Sequence, residues 1–261
     1  MDSRVAQFFE QIRGKDVTFI GLGVSHRLLV SLFAQKGAHV TIRDRRTREQ
    51  MGEDYDILRA QGIDFILGEN YLDHLDGDMI FRTPGMYFYN EALQKARKEG
   101  KVVTSEMEVF FDLCPCRLIA VTGSDGKTTT TTLIGELLKA QGKRVHIGGN
   151  IGRPLLAHIE EMEPEDYAVV ELPSFQLLSM RESPDVAVVT NIAPNHLDVH
   201  GTMEEYIGAK RNILLHQNAF SAAVLGADSE TAMSLAPDVR GKLLTFSIHG
   251  PVERGAYMDE N

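Results

Sequence analysis

The sequence predicts an α/β protein of two domains, each built on a mainly parallel sheet. Short apolar strands alternate with amphipathic helices, and two strands run straight into a glycine turn that opens a helix. The length of 261 residues is enough for two hydrophobic cores. We expect a first domain at residues 1–108 and a second at 109–261, with the boundary within 105–116, where the composition changes.

Composition and charge restrict the class of protein. Hydrophobic residues make up 43% and charged residues 25% of the chain, as in ordinary globular proteins. No apolar run reaches the ~20 residues of a membrane span, and the first residues lack a signal-peptide core, so we expect a cytoplasmic protein without a membrane partner. The net charge of −10 argues against nucleic acid as a partner. The only cysteines, Cys114 and Cys116, are expected to be reduced and packed at the domain junction.

The first domain has the outline of a dinucleotide-binding, Rossmann-like unit. A strand at 17–21 is followed by a helix at 26–35 and a strand at 39–43, and an acidic residue, Asp44, follows the second strand. The turn between strand and helix carries only Gly-x-Gly, which is a weak signal by itself, and its open third position lets Ser25 and His26 line the turn. The remaining predicted elements are strands at 64–67, 78–81 and 102–103 and helices at 89–99 and 105–113.

The most informative motif opens the second domain. An apolar strand at 117–121 leads into Gly-Ser-Asp-Gly-Lys-Thr at 123–128, and helical spacing continues to residue 141. This is the arrangement of a phosphate-binding P-loop, in which Lys127 would neutralise phosphate charge and the Thr128 hydroxyl would face Mg²⁺. The usual motif has glycine where this chain has Val121, so the alternative interpretation is a chance glycine turn at a helix N-terminus.

Polar residues follow several later strands of this domain, for which we predict strands at 144–147, 167–171, 185–190, 221–225 and 242–246 and a helix at 203–216. Glu171 ends the second of these strands and is interpreted as a Mg²⁺ ligand or as a solvated acid. His196 shares one loop with Asp198 and His200, which favours a functional loop over a lone surface histidine. From the residues alone, Lys210 is an ordinary exposed lysine without a role.

Five motifs in a fixed order resemble the Mur ligase family of peptidoglycan synthesis. They are Thr-Gly-Ser-Asp-Gly-Lys-Thr-Thr at 122–129, Gly-Asn-Ile-Gly at 149–152, Glu-Leu-Pro-Ser-Phe-Gln at 171–176, Asn-His-Leu-Asp-Val-His-Gly at 195–201 and Tyr-x-x-x-Lys at 206–210. Within the family, Ser-Phe-Gln is most similar to the D-glutamate-adding branch, the MurD ligases. The resemblance includes Thr-Pro-Gly at 83–85 and so spans nearly the whole chain.

The resemblance implies ATP and two Mg²⁺ ions as cofactors, and it implies residue roles. Lys127, His196 and Lys210 would be catalytic, and the family carbamylates the lysine that matches Lys210. Glu171 and Thr128 would hold one Mg²⁺, and His196 and Lys210 the other. The implied ATP-binding residues are Gly123, Ser124, Asp125, Gly126, Lys127, Thr128 and Thr129. The implied residues for the UDP-muramoyl substrate are Gly23, Ser25, His26, Asp44, Arg45, Thr83, Pro84, Gly85, Asn150 and Ser174.

The implied reaction is ATP-dependent addition of D-glutamate to UDP-N-acetylmuramoyl-L-alanine through an acyl phosphate, by a monomeric protein. In the family a further part of the central domain and a third domain, with the D-glutamate site, follow the residue that matches Asn261. We therefore expect a truncated chain with an incomplete central domain, inactive in ligation by itself. Two alternatives remain: another ligase of the superfamily, adding a different amino acid or of folylpolyglutamate type, and a nucleotide-binding module without catalysis.

Overall fold

The computed structural model describes residues 2–194 and 201–259, which form two compact units. The first unit runs to Leu113 and also includes Pro154–Met162, and the second comprises Cys114–Arg153 and the chain from Glu163 onward. The predicted division at 108/109 therefore differs at two places. The helix Glu106–Leu113 packs against the 3₁₀ helix Leu156–Glu161, and this contact assigns both segments to the first unit.

The first unit is a five-stranded parallel sheet with the strand order β3-β2-β1-β4-β5. Its strands are β1 Asp16–Ile20, β2 His39–Asp44, β3 Asp64–Leu67, β4 Met79–Arg82 and β5 Val102–Thr104. Its helices are α1 Ser3–Gln11, α2 Val24–Gln35, α3 Arg48–Met51, α4 Glu53–Arg59, α5 Glu91–Lys98 and α6 Glu106–Leu113. Strands β2 and β3 are added on one side of β1, and β4 and β5 on the other, so the strand order reverses between β1 and β4. A ligand crevice is therefore expected outside the carboxyl ends of these two strands.

Aromatic residues form the centre of the first unit. Phe19 of β1 stacks on Phe81 of β4 with ring centroids 4.7 Å apart, and Phe33 of α2 packs edge-on against both. Because the middle strands of a parallel sheet are covered on both faces, they read as continuous apolar runs. The sequence did not predict α1, although its Val5 and Phe9 are buried four residues apart on one face.

The second unit is a seven-stranded parallel sheet with the order β12-β11-β10-β9-β6-β8-β7, which confirms the predicted α/β fold. Its strands are β6 Arg117–Thr122, β7 Val145–Gly149, β8 Tyr167–Glu171, β9 Val186–Val189, β10 Ala222–Gly226, β11 Lys242–Ser247 and β12 Gly255–Tyr257. Its described helices are α7 Lys127–Ala140, α8 Ser174–Leu177, α9 Met203–Leu215, α10 Glu230–Met233 and the 3₁₀ helix Ala236–Asp238. Strand β6 lies between β8 and β9, so the P-loop that follows it sits near the middle of the sheet's carboxyl edge.

Two further features of the described chain bear on the sequence predictions. Cys114 and Cys116 are buried and unbridged, with their Sγ atoms 3.6 Å apart. Within residues 2–194 and 201–259, no helix combines the length and the apolar character that a membrane crossing needs.

Candidate active site

The P-loop between β6 and α7 depends on two glycines with positive φ. Gly126, at the N-cap of α7, has φ +76°, and Gly123 has φ +151°. A Cβ on Gly123 would lie 1.8 Å from the Thr190 Oγ1, so no side chain fits there. The first intrahelical bond of α7 runs from the Thr130 amide to the Gly126 carbonyl at 2.9 Å. The amides of residues 127–129 therefore have no acceptor within the helix, and this helix end suits a phosphate group.

Lys127 and Thr128 begin α7 and face polar partners. The Lys127 Nζ donates hydrogen bonds to the carbonyls of Gly123 (3.0 Å) and Ser124 (2.8 Å), so the ammonium lies across the loop. The Thr128 hydroxyl donates a 2.6 Å hydrogen bond to the Oε2 of Glu171. A cation and a hydroxyl thus flank the helix end where phosphate would bind.

Glu171 is held at the end of β8, directly beside the P-loop strand. It pairs with Val121 in the β6–β8 ladder, so its strand is the direct neighbour of the P-loop strand in the sheet. Its side chain is buried, and its Oε1 accepts a 2.9 Å hydrogen bond from the Asn150 Nδ2. The Thr128 hydroxyl and this carboxylate are hard oxygen donors that fit Mg²⁺ beside a bound phosphate.

These residues line one cavity of 370 Å³ in the second unit. It brings together most of the predicted ATP, substrate and metal residues of this unit, and it adds Pro173, Phe175 and Tyr206. Its lining residues are Gly123, Ser124, Asp125, Gly126, Lys127, Thr128, Thr129, Asn150, Glu171, Pro173, Ser174, Phe175, Tyr206 and Lys210.

Lys210 is buried, with 1% of its surface exposed, which corrects the prediction of an ordinary surface lysine. Its Nζ donates a 2.8 Å hydrogen bond to the Gly123 carbonyl and lies 4.6 Å from the centroid of the Tyr206 ring. Burial and the nearby Lys127 ammonium lower the pKa of Lys210 to about 7. An amine with such a pKa is substantially neutral, and therefore nucleophilic, near neutral pH.

The predicted second metal site is only partly described. His196, Asp198 and His200 lie outside the described residues. Within residues 2–194 and 201–259, no group of three or more histidine, cysteine or acidic side chains is arranged to hold a metal. Lys210 is thus the described member of that predicted pair.

The predicted substrate residues of the first unit follow β1, β2 and β4 at the carboxyl edge of the sheet, but two of them are buried there. His26 is 1% exposed, its Nδ1 lies 2.7 Å from the Gly21 carbonyl, and burial lowers its pKa to about 4. This corrects the expectation that His26 lines the turn, since helical spacing places it on the core face of α2. Ser25 is half-buried, and a Cβ on Gly23 would meet no atom within 4 Å.

Asp44 stabilises the glycine turn and the chain after β2. Its carboxylate accepts hydrogen bonds from the Leu22 amide at 2.8 Å and from the Arg46 guanidinium at 2.7 and 3.0 Å. Although burial opposes it, these bonds hold the pKa of Asp44 down at about 2. Arg45 is exposed beside it.

The segment 83–85 leaves β4 beside the glycine turn. A Cβ placed on Gly21 would lie 3.4 Å from the Thr83 side chain, so the two loops are in contact range. Pro84 is half-buried and Gly85 is exposed. Loops from β1 and β4 therefore meet at the point where the strand order reverses, as expected for a ligand crevice.

Sequence reasoning missed the residues that hold the P-loop from the side of β9. The Asn191 Oδ1 accepts hydrogen bonds from the amides of Ser124 (3.1 Å) and Asp125 (2.9 Å). The Thr190 hydroxyl donates to the Asp125 carbonyl at 2.6 Å. Their position at the end of a strand next to β6 was the available signal.

The fold and the site together define a P-loop protein with two parallel α/β units. Residues 121–259 match the family model described as the Mur ligase middle domain, and the chain belongs to the Mur ligase family. The chain is 45% identical over 256 residues to the UDP-N-acetylmuramoylalanine--D-glutamate ligase of Clostridium acetobutylicum, with 97% of this chain and 55% of the relative covered. It is 46% identical over 262 residues to the ligase of that name from Acetivibrio thermocellus, with 100% and 56% covered. The chain thus spans a little over half the length of these curated relatives.

Solved structures show the same fold at lower sequence identity. UDP-N-acetylmuramate:L-alanyl-gamma-D-glutamyl-meso-diaminopimelate ligase from Neisseria meningitides superposes with a TM-score of 0.59 at 16% identity, covering 89% of this chain and 78% of that one. UDP-N-acetylmuramate-alanine ligase from Thermotoga maritima gives a TM-score of 0.53 at 22% identity, with 90% and 53% covered.

Proposed function

We propose that this chain forms the part of an ATP-dependent ligase that binds ATP and the UDP-linked substrate, and that the reaction adds D-glutamate to UDP-N-acetylmuramoyl-L-alanine. The observation that carries the proposal is the row Thr128–Glu171–Asn150 beside the P-loop, with Lys210 buried in the same cavity. The names of the relatives that are 45% and 46% identical support the choice of amino acid.

ATP would bind at the N-terminus of α7. The amides of residues 127–129 would donate to phosphate oxygens, since they have no acceptor within the helix. The Lys127 ammonium would leave the two loop carbonyls and pair with the phosphates, and a point charge there offsets part of the phosphate charge.

The residues present also fit a divalent cation. Thr128 and Glu171 would hold Mg²⁺ next to the phosphates, and Lys210, if carbamylated as in the family, would supply oxygen ligands for a second ion together with His196. Mg²⁺ bound there neutralises phosphate charge and polarises the transferred phosphoryl group.

Asn150 and Ser174 are the residues of this unit that we propose for the muramoyl end of the substrate. Both line the cavity that contains the P-loop, so a carboxylate bound by them would lie near the γ-phosphate of ATP. The loops after β1, β2 and β4 of the first unit would bind the UDP end. Because ATP and UDP-linked sugars are made in the cytoplasm, the proposal places the protein there, and we take it to act as a monomer as the family does.

The main physical problem of the proposed reaction is the approach of two anions. A substrate carboxylate must attack the γ-phosphate of ATP, with ADP as the leaving group. The amine of D-glutamate then displaces inorganic phosphate from the resulting acyl phosphate and loses a proton. Lys127 and the amide dipoles at the start of α7 would stabilise the negative charge that develops on the transferred group. Fixed donors act better than water because they need no reorientation during the reaction.

Titration with the non-hydrolysable analogue AMP-PNP in the presence of Mg²⁺ tests the nucleotide part of the proposal. The wild-type chain should bind, and Lys127→Ala should weaken binding roughly 100-fold, or about 2.7 kcal/mol. Lys139→Ala is the matched control, because Lys139 lies near the other end of α7 in an exposed ion pair with Glu136. Absence of binding by the wild type, or equal binding by the Lys127 variant, would contradict the proposal.

A further inference from the structure

Tyr206 lies in the wall of the P-loop cavity and has no role in the proposed reaction. It belongs to the first half of α9 and is 1% exposed. Its Oη is 3.0 Å from the Ser124 Oγ, and its ring centroid is 4.6 Å from the Lys210 Nζ. One side chain therefore contacts both the P-loop and the buried lysine.

The Ser124 hydroxyl has two hydrogen-bond partners besides Tyr206. The Ser124 Oγ donates to the Ala193 carbonyl at 2.8 Å and accepts from the Ala193 amide at 2.9 Å. A serine hydroxyl has one proton and two acceptor positions, so these bonds leave one acceptor position of Ser124. The Tyr206 Oη lies within hydrogen-bond distance of it, at 3.0 Å.

The side chain of Ser124 is thus engaged in hydrogen bonds to Ala193 and Tyr206. Its amide is engaged too, because it donates to Asn191, as does the amide of Asp125. Hydrogen bonds therefore fix the first half of the P-loop in place. The amides of residues 127–129, at the start of α7, have no acceptor within the helix and are available to phosphate. A bond that holds Ser124 thereby sets where those amides point.

We propose that Tyr206 is a positioning residue for phosphate binding, acting through Ser124 on the P-loop and through its ring on Lys210. The inference rests on the proposed nucleotide function of the site. The hydroxyl fixes the Ser124 end of the loop, and the ring face supports the Lys210 Nζ where it bonds the Gly123 carbonyl. The two contacts add to the hydrogen bonds that the loop makes with Thr190 and Asn191.

The conservative variant Tyr206→Phe separates the two contacts, because it keeps the ring and removes only the hydroxyl. We expect it to weaken binding of Mg-AMP-PNP and of Mg-tripolyphosphate by about 5- to 10-fold, as for one lost buried hydrogen bond. Tyr206→Leu also removes the aromatic ring and should weaken binding of both probes further. Tyr167→Phe is the matched control. It removes a hydroxyl at the start of β8, at the opposite end of this strand from Glu171, and should bind both probes like the wild type.

A double-mutant cycle with Ser124→Ala distinguishes positioning from general destabilisation. Both single variants break the same Tyr206–Ser124 bond, so the double variant should bind the two probes little worse than Ser124→Ala alone. A merely structural effect would lower the melting temperature without this coupling in phosphate affinity. If Tyr206→Phe did not fold, Ser124→Ala alone should still show the loss of affinity.

Two results would overturn the inference: wild-type affinity of Tyr206→Phe for both probes, or losses that multiply in the double variant. Wild-type affinity of Ser124→Ala would overturn it equally. Failure of the proposed function has a different outcome, since the wild-type chain itself would then not bind Mg-AMP-PNP.

Discussion

The Thr128 hydroxyl donates a 2.6 Å hydrogen bond to the Oε2 of Glu171, and this bond joins the first turn of α7 to the end of β8. The two residues are 43 positions apart in the chain, and parallel pairing of β6 with β8 brings them together. The Asn150 amide occupies the other carboxylate oxygen at 2.9 Å. Among the described residues, a neutral donor therefore binds each oxygen of this buried carboxylate beside the P-loop, an arrangement that a divalent cation can enter.

Thr128→Val keeps the shape of the side chain and removes its hydroxyl. We expect AMP-PNP binding in the presence of Mg²⁺ to weaken at least 10-fold, with a much smaller change in EDTA, because the proposed metal ligand is lost. The buried Glu171 oxygen also loses its donor, which costs about 1–3 kcal/mol of unfolding free energy. Thr128→Ser is the control and should restore both properties. Equal weakening with and without Mg²⁺ would contradict the metal role.

Gly123→Ala tests the close approach of β9 to the P-loop. The added Cβ would lie 1.8 Å from the Thr190 Oγ1, so the loop must shift, and nucleotide affinity should fall by more than 10-fold. Gly208→Ala is the control because Gly208 lies in α9 with open space around its Cβ position. Its expected effect is a gain of up to about 1 kcal/mol in stability, from higher helix propensity. Isothermal titration and thermal unfolding of both variants measure the difference, and normal nucleotide binding by Gly123→Ala would refute this geometry.

The buried carboxyl group of Glu106 should make the unfolding free energy of the first unit depend on pH. Its carboxyl is buried and accepts a 3.1 Å hydrogen bond from the Leu156 amide, and burial raises its pKa from 4.5 to about 7. The folded state then binds more protons than the unfolded state between these values, so Glu106 lowers the unfolding free energy as pH rises from 4.5 to 7.

Glu106→Gln keeps an acceptor oxygen for the amide and cannot ionise. We therefore expect the variant to be more stable than the wild type at pH 8, by about 1–3 kcal/mol, and to lose that advantage near pH 4.5. Urea unfolding at the two pH values measures it. Glu160→Gln, a change at a more exposed carboxylate in the ion pair with Lys36, should not show this pH-dependent gain. A variant less stable than the wild type at pH 8 would show that the ionised carboxylate stabilises the segment.

Sequence patterns predicted most of the strands and the P-loop because both are local features of the chain. The strands of each sheet are short apolar runs bounded by glycine or polar residues, and strand, glycine loop and helix follow one another directly at 117–141. Glu171 was recognised as a candidate because it ends a strand. The order of strands is not a local property, so the pairing of β8 with β6, which brings Glu171 beside the P-loop, was not predicted from the sequence.

Local sequence patterns also failed to predict that two polar side chains, Lys210 and His26, are buried. Lys210 belongs to the core face of α9 together with Tyr206, Ile213 and Leu214, yet a lysine at such a position is normally exposed. His26 lies on the core face of α2 in the same way. In both helices the spacing of the apolar neighbours indicated the face, and the charge of the side chain argued against it.

The proposed function requires that the chain bind the carboxyl donor of a D-glutamate-adding ligase. Calorimetric titration with UDP-N-acetylmuramoyl-L-alanine, and with UDP-N-acetylmuramate as the comparison, measures this binding. Tighter binding of the alanyl form is the predicted result, since the second unit would then contact the alanyl carboxylate. Equal affinity for the two compounds, or no binding of either, would contradict the claim.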